Sequence, residues 1–450
     1  MGALLIRGGT LMDPASGIQA PRDILTEDGR IAQIALPGEI QPAAAGEILD
    51  AAGLVVAPGL VDTHVHFRDP GQTHKEDLTT GAEAAAQGGC TTVVLMGNTV
   101  PPMDDPVLVR DILNRGEQAP IRICTCANVT RGMQGETLTD MDALAEAGAV
   151  LFSDDGRPIV DGEVFRAACA EAVRLHRVIS LHEEDPSCIV ENGIDAGPVA
   201  RQLKLTGSPR EAEIRMVQRD IGIARETGAA LTIQHISTAE SVALIRQARA
   251  EGLSIHAEAT PHHLTLTAED VLQFGPLAKM NPPVRTAADR AAIRAGLMDG
   301  TIEIIATDHA PHTLAEKQLA DGTGWDPVSQ EAGERLRLAP SGITGLETSL
   351  ALAVQALYHG ADGTGMTLLQ ILACMTSQPA KIYGLEELYG VGRVTVNGPA
   401  DLCIFAPGEL WRFDHSVSRS ANTPFLGCEL PARIHYTICR GRIVYRKENQ

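Results

Sequence analysis

The segment GLVDTHVHFRDPG places His64, His66 and Arg68 at intervals of two, directly after an apolar run. In an extended strand, side chains two residues apart share a face. Both imidazoles and the guanidinium are therefore predicted to project together. Two imidazoles so close suit a single metal ion, although His-x-His also occurs as a pair of structural or surface histidines. Four further residues add weight. Asp155, His182, His235 and Asp308 each follow an apolar run of β-type residues, and each precedes a turn or loop. Unrelated polar strand ends rarely give metal-type donors on five strands of one chain.

Imidazoles with carboxylates suit a borderline divalent ion such as Zn2+, one or two per chain, better than magnesium or calcium. Water on such an ion loses its proton near neutral pH and becomes a hydroxide nucleophile. A neighbouring carboxylate can take the proton and pass it to a leaving nitrogen. The chemistry expected is hydrolysis of an amide, imide or ring lactam. Serine or cysteine nucleophiles have less support: there is no Gly-x-Ser-x-Gly, and no cysteine stands beside a strand-end histidine. Arg68 can grip a carboxylate through two parallel hydrogen bonds. Asn98, closing the second strand, and His312, four residues beyond Asp308, offer further donors. The expected substrate is a small anion with a hydrolysable C–N bond. A structural ion pair of Arg68 with Asp69 or Asp77 is the competing reading.

Such residues need a scaffold that gathers separate strand ends. Strand-like apolar runs lie at 59–67, 91–98, 121–129, 149–155, 178–184, 230–237, 253–260 and 302–310. Amphipathic segments such as REAEIRMVQRDIGIARETG separate them. Alternating strands and helices predict a parallel sheet, and eight units predict an α/β fold, the (β/α)8 TIM barrel, whose active sites lie at the C-terminal ends of the strands. The first and last fifty residues read instead as short strands with Gly and Asp turns. Both chain termini are expected to build one small β-sandwich domain, residues 1–55 and 391–450, beside a barrel at 56–390. Residues 313–342, polar and Gly-containing, read as a long loop after the eighth strand, either a mobile lid or surface decoration.

The chain has 450 residues and a formal net charge of −20. That acidity argues against nucleic acid or an anionic membrane as a partner. It also demands a local positive group wherever an anion binds. No run reaches the ~18 apolar residues of a membrane span, and the N-terminus lacks the pattern of a secretory signal. Nine cysteines without zinc-ribbon spacing are expected to be buried free thiols. The expectation is a cytoplasmic enzyme acting on a small-molecule substrate.

Together, DTHVHFRDPGQTHKED, GGCTTVVLMGNTVPPMD, FSDDG, LHEED, IQHIST, KMNPPVR and ATDHAPH resemble the bacterial type I dihydroorotases of the amidohydrolase superfamily, over nearly the whole chain. The resemblance implies reversible closure of N-carbamoyl-L-aspartate to (S)-dihydroorotate with loss of water, in de novo pyrimidine (UMP) biosynthesis. It implies one zinc on His64, His66, Asp155 and Asp308, and a second on Asp155, His182 and His235, with Asp155 bridging and Asp308 as general acid/base. It implies that His66, Arg68, Asn98 and His312 face the substrate, the last three holding its carboxylate. Asn281 and the backbone of Ser341 and Gly342 would contact the ring. The two aspartates of FSDDG face opposite sides of the strand end, and the family pattern selects Asp155 over Asp154.

Hydantoinases, dihydropyrimidinases and allantoinases are the alternative enzymes. Many of them bridge their metals with a carbamylated lysine ending strand four, and AGAVLFSDDG contains no lysine. Some family members lack metal ligands and serve as non-catalytic subunits of aspartate transcarbamoylase; here every ligand position is filled. A homodimer and a complex with aspartate transcarbamoylase are the candidate assemblies. Two features depart from the family: Gly97 stands where Pro often precedes the binding Asn, and the loop from His312 to Pro340 is long. Of the other histidines, His262, His263 and His309 are expected to pack or to support the ligands. His74 belongs to the rim or to solvent. His176, His256, His359, His415 and His435 show no site context.

Overall fold

Each of the eight apolar runs supplies a strand. In the computed structural model, which describes residues 3–41, 45–319, 324–358 and 365–447, these are Leu60–Val65, Cys90–Leu95, Arg122–Ala127, Leu151–Phe152, Ile179–Leu181, Leu231–Ile233, Ile255–Ala259 and Ile304–Ile305. His359 lies outside the described residues. Neighbouring strands pair in parallel, in chain order. The ring closes where the His66 N–H donates to the His309 carbonyl at 2.8 Å and Val65 bridges His309. The strands are buried on both faces, as a parallel sheet filled inside and covered by helices must be. The (β/α)8 barrel is therefore present. Its strands are shorter than the apolar runs, because pairing stops where the chain bends to carry polar side chains into the barrel mouth.

The covering helices start where side chains satisfy their free N–H groups. Asp77 accepts from Thr79 and Thr80 ahead of Leu78–Gln87, and Thr286 with Asp289 forms a capping box ahead of Ala287–Met298. Helix Glu211–Thr227 lays Ala212, Met216, Val217, Ile223 and Ala224 inward.

Both chain ends meet in one mixed sheet. Its order is Arg442–Arg446, Arg433–Cys439, Leu402–Ala406, Val55–Pro58, Leu4–Asp13, Ile18–Glu27 and Arg30–Ala35, and Glu47–Asp50 pairs with the first half of Leu4–Asp13. Ile6, Leu11, Ile24, Val56, Leu402 and Ile438 share its core. The small domain is thus built on this sheet, and Trp411–Arg412 and Glu429–Leu430 pair apart from it as a two-stranded sheet. It is tied to the barrel through Asp401, whose carbonyl accepts from the Gly59 N–H at 2.9 Å and whose carboxylate lies 3.3 Å from Arg122.

The described parts of the segment after strand eight are packed against the rest of the chain. The segment carries the helix Ala332–Leu338, buries Lys317 completely, and directs Trp325 Nε1 at the Leu272 carbonyl, 3.0 Å away. All nine cysteines are free, and seven are buried. Among the described residues no helix is long and apolar enough to cross a membrane.

Candidate active site

The predicted strand-end residues meet at one end of the barrel. His64 is fully buried, with Nδ1 2.5 Å from Glu258 Oε1 and Nε2 3.5 Å from Asp155 Oδ1 and 3.4 Å from Asp308 Oδ1. His66 directs Nε2 at Asp308 Oδ1, 2.9 Å away, and lies 3.5 Å from Asp155 Oδ2. His182 Nδ1 is 3.0 Å from His235 Nε2 and 3.7 Å from Asp155 Oδ1, while its Nε2 meets Glu184 at 2.9 Å. His235 Nε2 lies 3.9 Å from Asp155 Oδ1. Two triads result, His64–His66–Asp308 and His64–Asp155–His235, each with its donor atoms within 4.8 Å of one another.

The backbone is bent to achieve this. Arg68, His235 and Asp308 adopt left-handed φ values of 57°, 31° and 46°. Side-chain-bearing residues rarely enter that region, and they are held there only by their surroundings, characteristically at functional sites.

Burial disfavours charge on all these groups, yet opposite charges prevail on most of them. Against its burial, Asp155 is held well below the usual carboxylate range by His64, His182 and His235. Asp308 is likewise buried but is brought to about 2 by His64 and His66. His64 is raised well above the imidazole range by Glu258, Asp308 and Asp155 in spite of desolvation. His182, also desolvated, is raised to about 10 by Asp155 and Glu184. His66, unlike His64 and His182, is lowered, by burial and then by Arg68 nearby. The cluster therefore favours ionised carboxylates with positive charge between them. His64 Nε2 and His235 Nδ1 are buried without a hydrogen-bond partner. An orphaned buried nitrogen facing two ionised carboxylates, as His64 Nε2 does, fits a divalent cation, which would take the place of the imidazole proton.

A cavity of about 410 Å³ opens above the cluster. His66, Arg68, Asn98, Asp155, His182, His235, Asn281, Asp308, His312 and Ser341 all line it. Arg68 donates from Nε to the Pro311 carbonyl at 3.3 Å and from Nη2 to His312 Nε2 at 3.4 Å. Its competing partners are engaged elsewhere: Asp69 with Arg115 at 2.9 Å, Asp77 with Arg419. His312 is pushed down to about 2 by burial and by Arg68, and so is neutral. Asn98 spans the site, its Oδ1 2.9 Å from His66 Nδ1 and its Nδ2 donating to Asp155 Oδ2 at 3.0 Å. Gly97 before it is explained by crowding: a Cβ there would lie 2.8 Å from Asn128 Nδ2. Asn281 Oδ1 accepts from the Ser341 hydroxyl at 2.9 Å. Gly342 lies just behind, its N–H donating to the Lys279 carbonyl at 3.0 Å and its own carbonyl accepting from Lys317 and Asn422, each at 2.9 Å. Its backbone polar groups are therefore already engaged within the protein.

The two aspartates of FSDDG separate as their alternation requires. Asp154 turns away and accepts from the Val129 N–H at 2.8 Å and from the Thr130 hydroxyl. His263 bonds Thr260 and the Pro282 carbonyl, and His309 sits between Glu76 and the Gly345 N–H. His262 is buried beside His263, ring centroids 4.6 Å apart. His74 is exposed, 3.2 Å from Glu316. Sequence reasoning missed Glu258, Glu184, Lys279 and Asn422. Glu258 sits in the seventh strand beside the polar His256, so nothing in the local sequence singled it out.

Residues 55–444 match the amidohydrolase family. Dihydroorotases from Clostridioides difficile (strain 630) and Streptococcus pneumoniae serotype 4 are each 44% identical to the chain, over 443 and 444 residues. These alignments cover 98% of the chain and 99% and 100% of the two relatives. Among solved structures, the L-hydantoinase (dihydropyrimidinase) of Arthrobacter aurescens superposes with a TM-score of 0.85 at 25% identity, covering 100% of this chain and 97% of that one. The dihydropyrimidinase of Brevibacillus agri NCHU1002 gives 0.80 at 20% identity, covering 99% and 95%, a likeness of fold. With its barrel, its strand-end donors and relatives matched from end to end, the chain belongs to the amidohydrolase family and groups there with bacterial dihydroorotases.

Proposed function

We propose that the protein is a zinc-dependent dihydroorotase, interconverting N-carbamoyl-L-aspartate and (S)-dihydroorotate. The observation that carries this reading is the position of Arg68. Its guanidinium opens on the same cavity as Asp155 and Asp308, so a substrate carboxylate gripped there leaves the scissile amide over the imidazole–carboxylate cluster. Dihydropyrimidines have no such carboxylate and would leave a half-buried cation unpaired.

His64, His66, Asp155, His182, His235 and Asp308 would hold one or two zinc ions. Bound there, the metal would supply an activated water and stabilise charge on the amide oxygen. The protein's own part is to bind, orient and move a proton. Arg68 takes the carboxylate bidentately, with neutral His312 beside it. Asn98 fixes the His66 ring and the Asp155 carboxylate by bridging them. Asp308, ionised at neutral pH, accepts a proton from the attacking water and returns it to the ring nitrogen as the C–N bond breaks; in ring closure the transfer runs backwards. Asn281 and Ser341 present polar groups to the ring. Asp155, rather than a lysine, stands at the end of strand four, which sets the chain apart from lysine-bridged relatives. The reading includes a cytoplasmic setting. It also includes a division into residues 1–55 with 391–450 and residues 56–390, strand Val55–Pro58 lying at the join.

The test is turnover by purified, zinc-supplemented protein on dihydroorotate and on dihydrouracil. Turnover of dihydroorotate is expected; turnover of dihydrouracil alone would overturn the assignment.

A further inference from the structure

Asn422 belongs to the segment between strands Trp411–Arg412 and Glu429–Leu430, more than a hundred positions from the last candidate ligand. It is nevertheless fully buried. Its Oδ1 accepts from the His312 N–H at 2.9 Å, and its Nδ2 donates to the Ala310 carbonyl at 3.0 Å and the Gly342 carbonyl at 2.9 Å. Its own carbonyl accepts from the Thr344 N–H at 3.1 Å. One N–H and two carbonyls as partners fix the orientation of the amide, since a flipped group would face donor with donor.

The contacts tie together two walls of the cavity. Ala310 and His312 follow strand eight, and Ser341–Gly342 returns after the long excursion. On the other side of Gly342, the buried Lys317 ammonium donates to the same carbonyl and to that of Pro340, each at 2.9 Å. The walls press closely: Gly342 has φ 149°, and a Cβ there would lie 2.5 Å from the Ala310 carbonyl oxygen and 2.8 Å from His312 Cδ2. Without Asn422, the His312 N–H and the Ala310 carbonyl would each lose a buried partner, and the two walls would lose one of the links between them, beside the bond from the Ala310 N–H to the Ile343 carbonyl at 3.0 Å.

We propose that Asn422, with Lys317 on the far side of Gly342, is a positioning residue for substrate binding, holding His312 and Ser341 at a fixed separation across the cavity. The inference rests on the dihydroorotase reading, because it acts through His312, a group assigned to the substrate carboxylate. Asn422 touches none of the imidazole–carboxylate cluster, so its loss falls on substrate affinity rather than on metal or chemistry.

Steady-state kinetics on dihydroorotate test this in the wild type, Asn422→Ala, His312→Ala and the double variant, with zinc content and Tm measured for each. Asn422→Ala is expected to raise KM about tenfold, to change kcat less than about threefold and to leave zinc content unchanged. In the His312→Ala background the same change should move KM less than about twofold, because the residue it positions is gone. Asn422→Asp keeps the acceptor for the His312 N–H but loses both donors, and should fall between. An unchanged KM in Asn422→Ala, or the same factor in both backgrounds, overturns the proposal. If Asn422→Ala does not fold, Lys317→Met decides: it loosens the Gly342 side alone, must raise KM, and overturns the proposal if KM holds. A wild-type protein inert on dihydroorotate would instead remove the underlying assignment. That result is distinct from an active wild type whose Asn422 variants bind substrate normally.

Discussion

The Nδ1 of His64 and the Oε1 of Glu258 lie 2.5 Å apart, both residues fully buried. Strand seven thereby fixes the ring of strand one. With Nδ1 committed to the carboxylate, Nε2 is the nitrogen left facing Asp155 and Asp308. Such a partner sets the tautomer and raises ligand basicity. Glu258→Gln keeps the shape but removes the charge. Zinc affinity, measured by competition with a chromogenic chelator, should fall about 10–100-fold. Unchanged affinity would mean that the pair only packs.

Arg68→Ala removes a guanidinium that lines the cavity together with Asp155 and Asp308. KM for dihydroorotate should rise at least about tenfold, with a smaller change in kcat, and Arg68→Lys should recover only part, because an ammonium cannot form the bidentate pair. A KM at the wild-type value in Arg68→Ala would end the carboxylate assignment.

Asp308→Asn separates ligation from proton transfer. The amide oxygen can still face His66, but it cannot accept a proton near neutral pH. We expect bound zinc to persist while kcat drops about a hundredfold or more. Retained turnover would move the general acid/base role to another residue.

Stability should carry a pH signature away from the site. Burial pushes Glu347 from its usual 4.5 up to about 7, although Ser416 and the Val417 N–H both donate to it. A carboxyl raised in the folded state holds its proton more tightly than the unfolded chain does. Its penalty is therefore absent below about 4.5, grows as pH rises through about 7, and is complete by about pH 8, at most on the order of 3 kcal/mol. Glu347→Gln should raise Tm by a few degrees at pH 8 and have little effect at pH 4. Melting curves showing the same Tm difference at both values would contradict this.

The barrel was legible because its strands are buried on both faces and so read as unbroken apolar runs, with amphipathic helices between. His64, Asp155, His182, His235 and Asp308 were legible because each interrupts or ends such a run. Strand lengths were not, since Leu151–Phe152 and Ile304–Ile305 keep only two paired residues each where the chain turns into the site. Glu258 looked like one more strand residue. Asn422 and Lys317 act through contacts with segments far away in the chain, and nothing in the local sequence signals those partners. Gly342 was expected to offer its backbone to the ring, but its amide and carbonyl are engaged by Lys279, Lys317 and Asn422.

The most direct test of the account is dihydroorotate turnover followed through removal and return of metal. Protein stripped with a chelator and dialysed should fall to background. Activity should then return in proportion to zinc bound, reaching a plateau at about one or two ions per chain. Full turnover in protein shown by elemental analysis to be metal-free would contradict it.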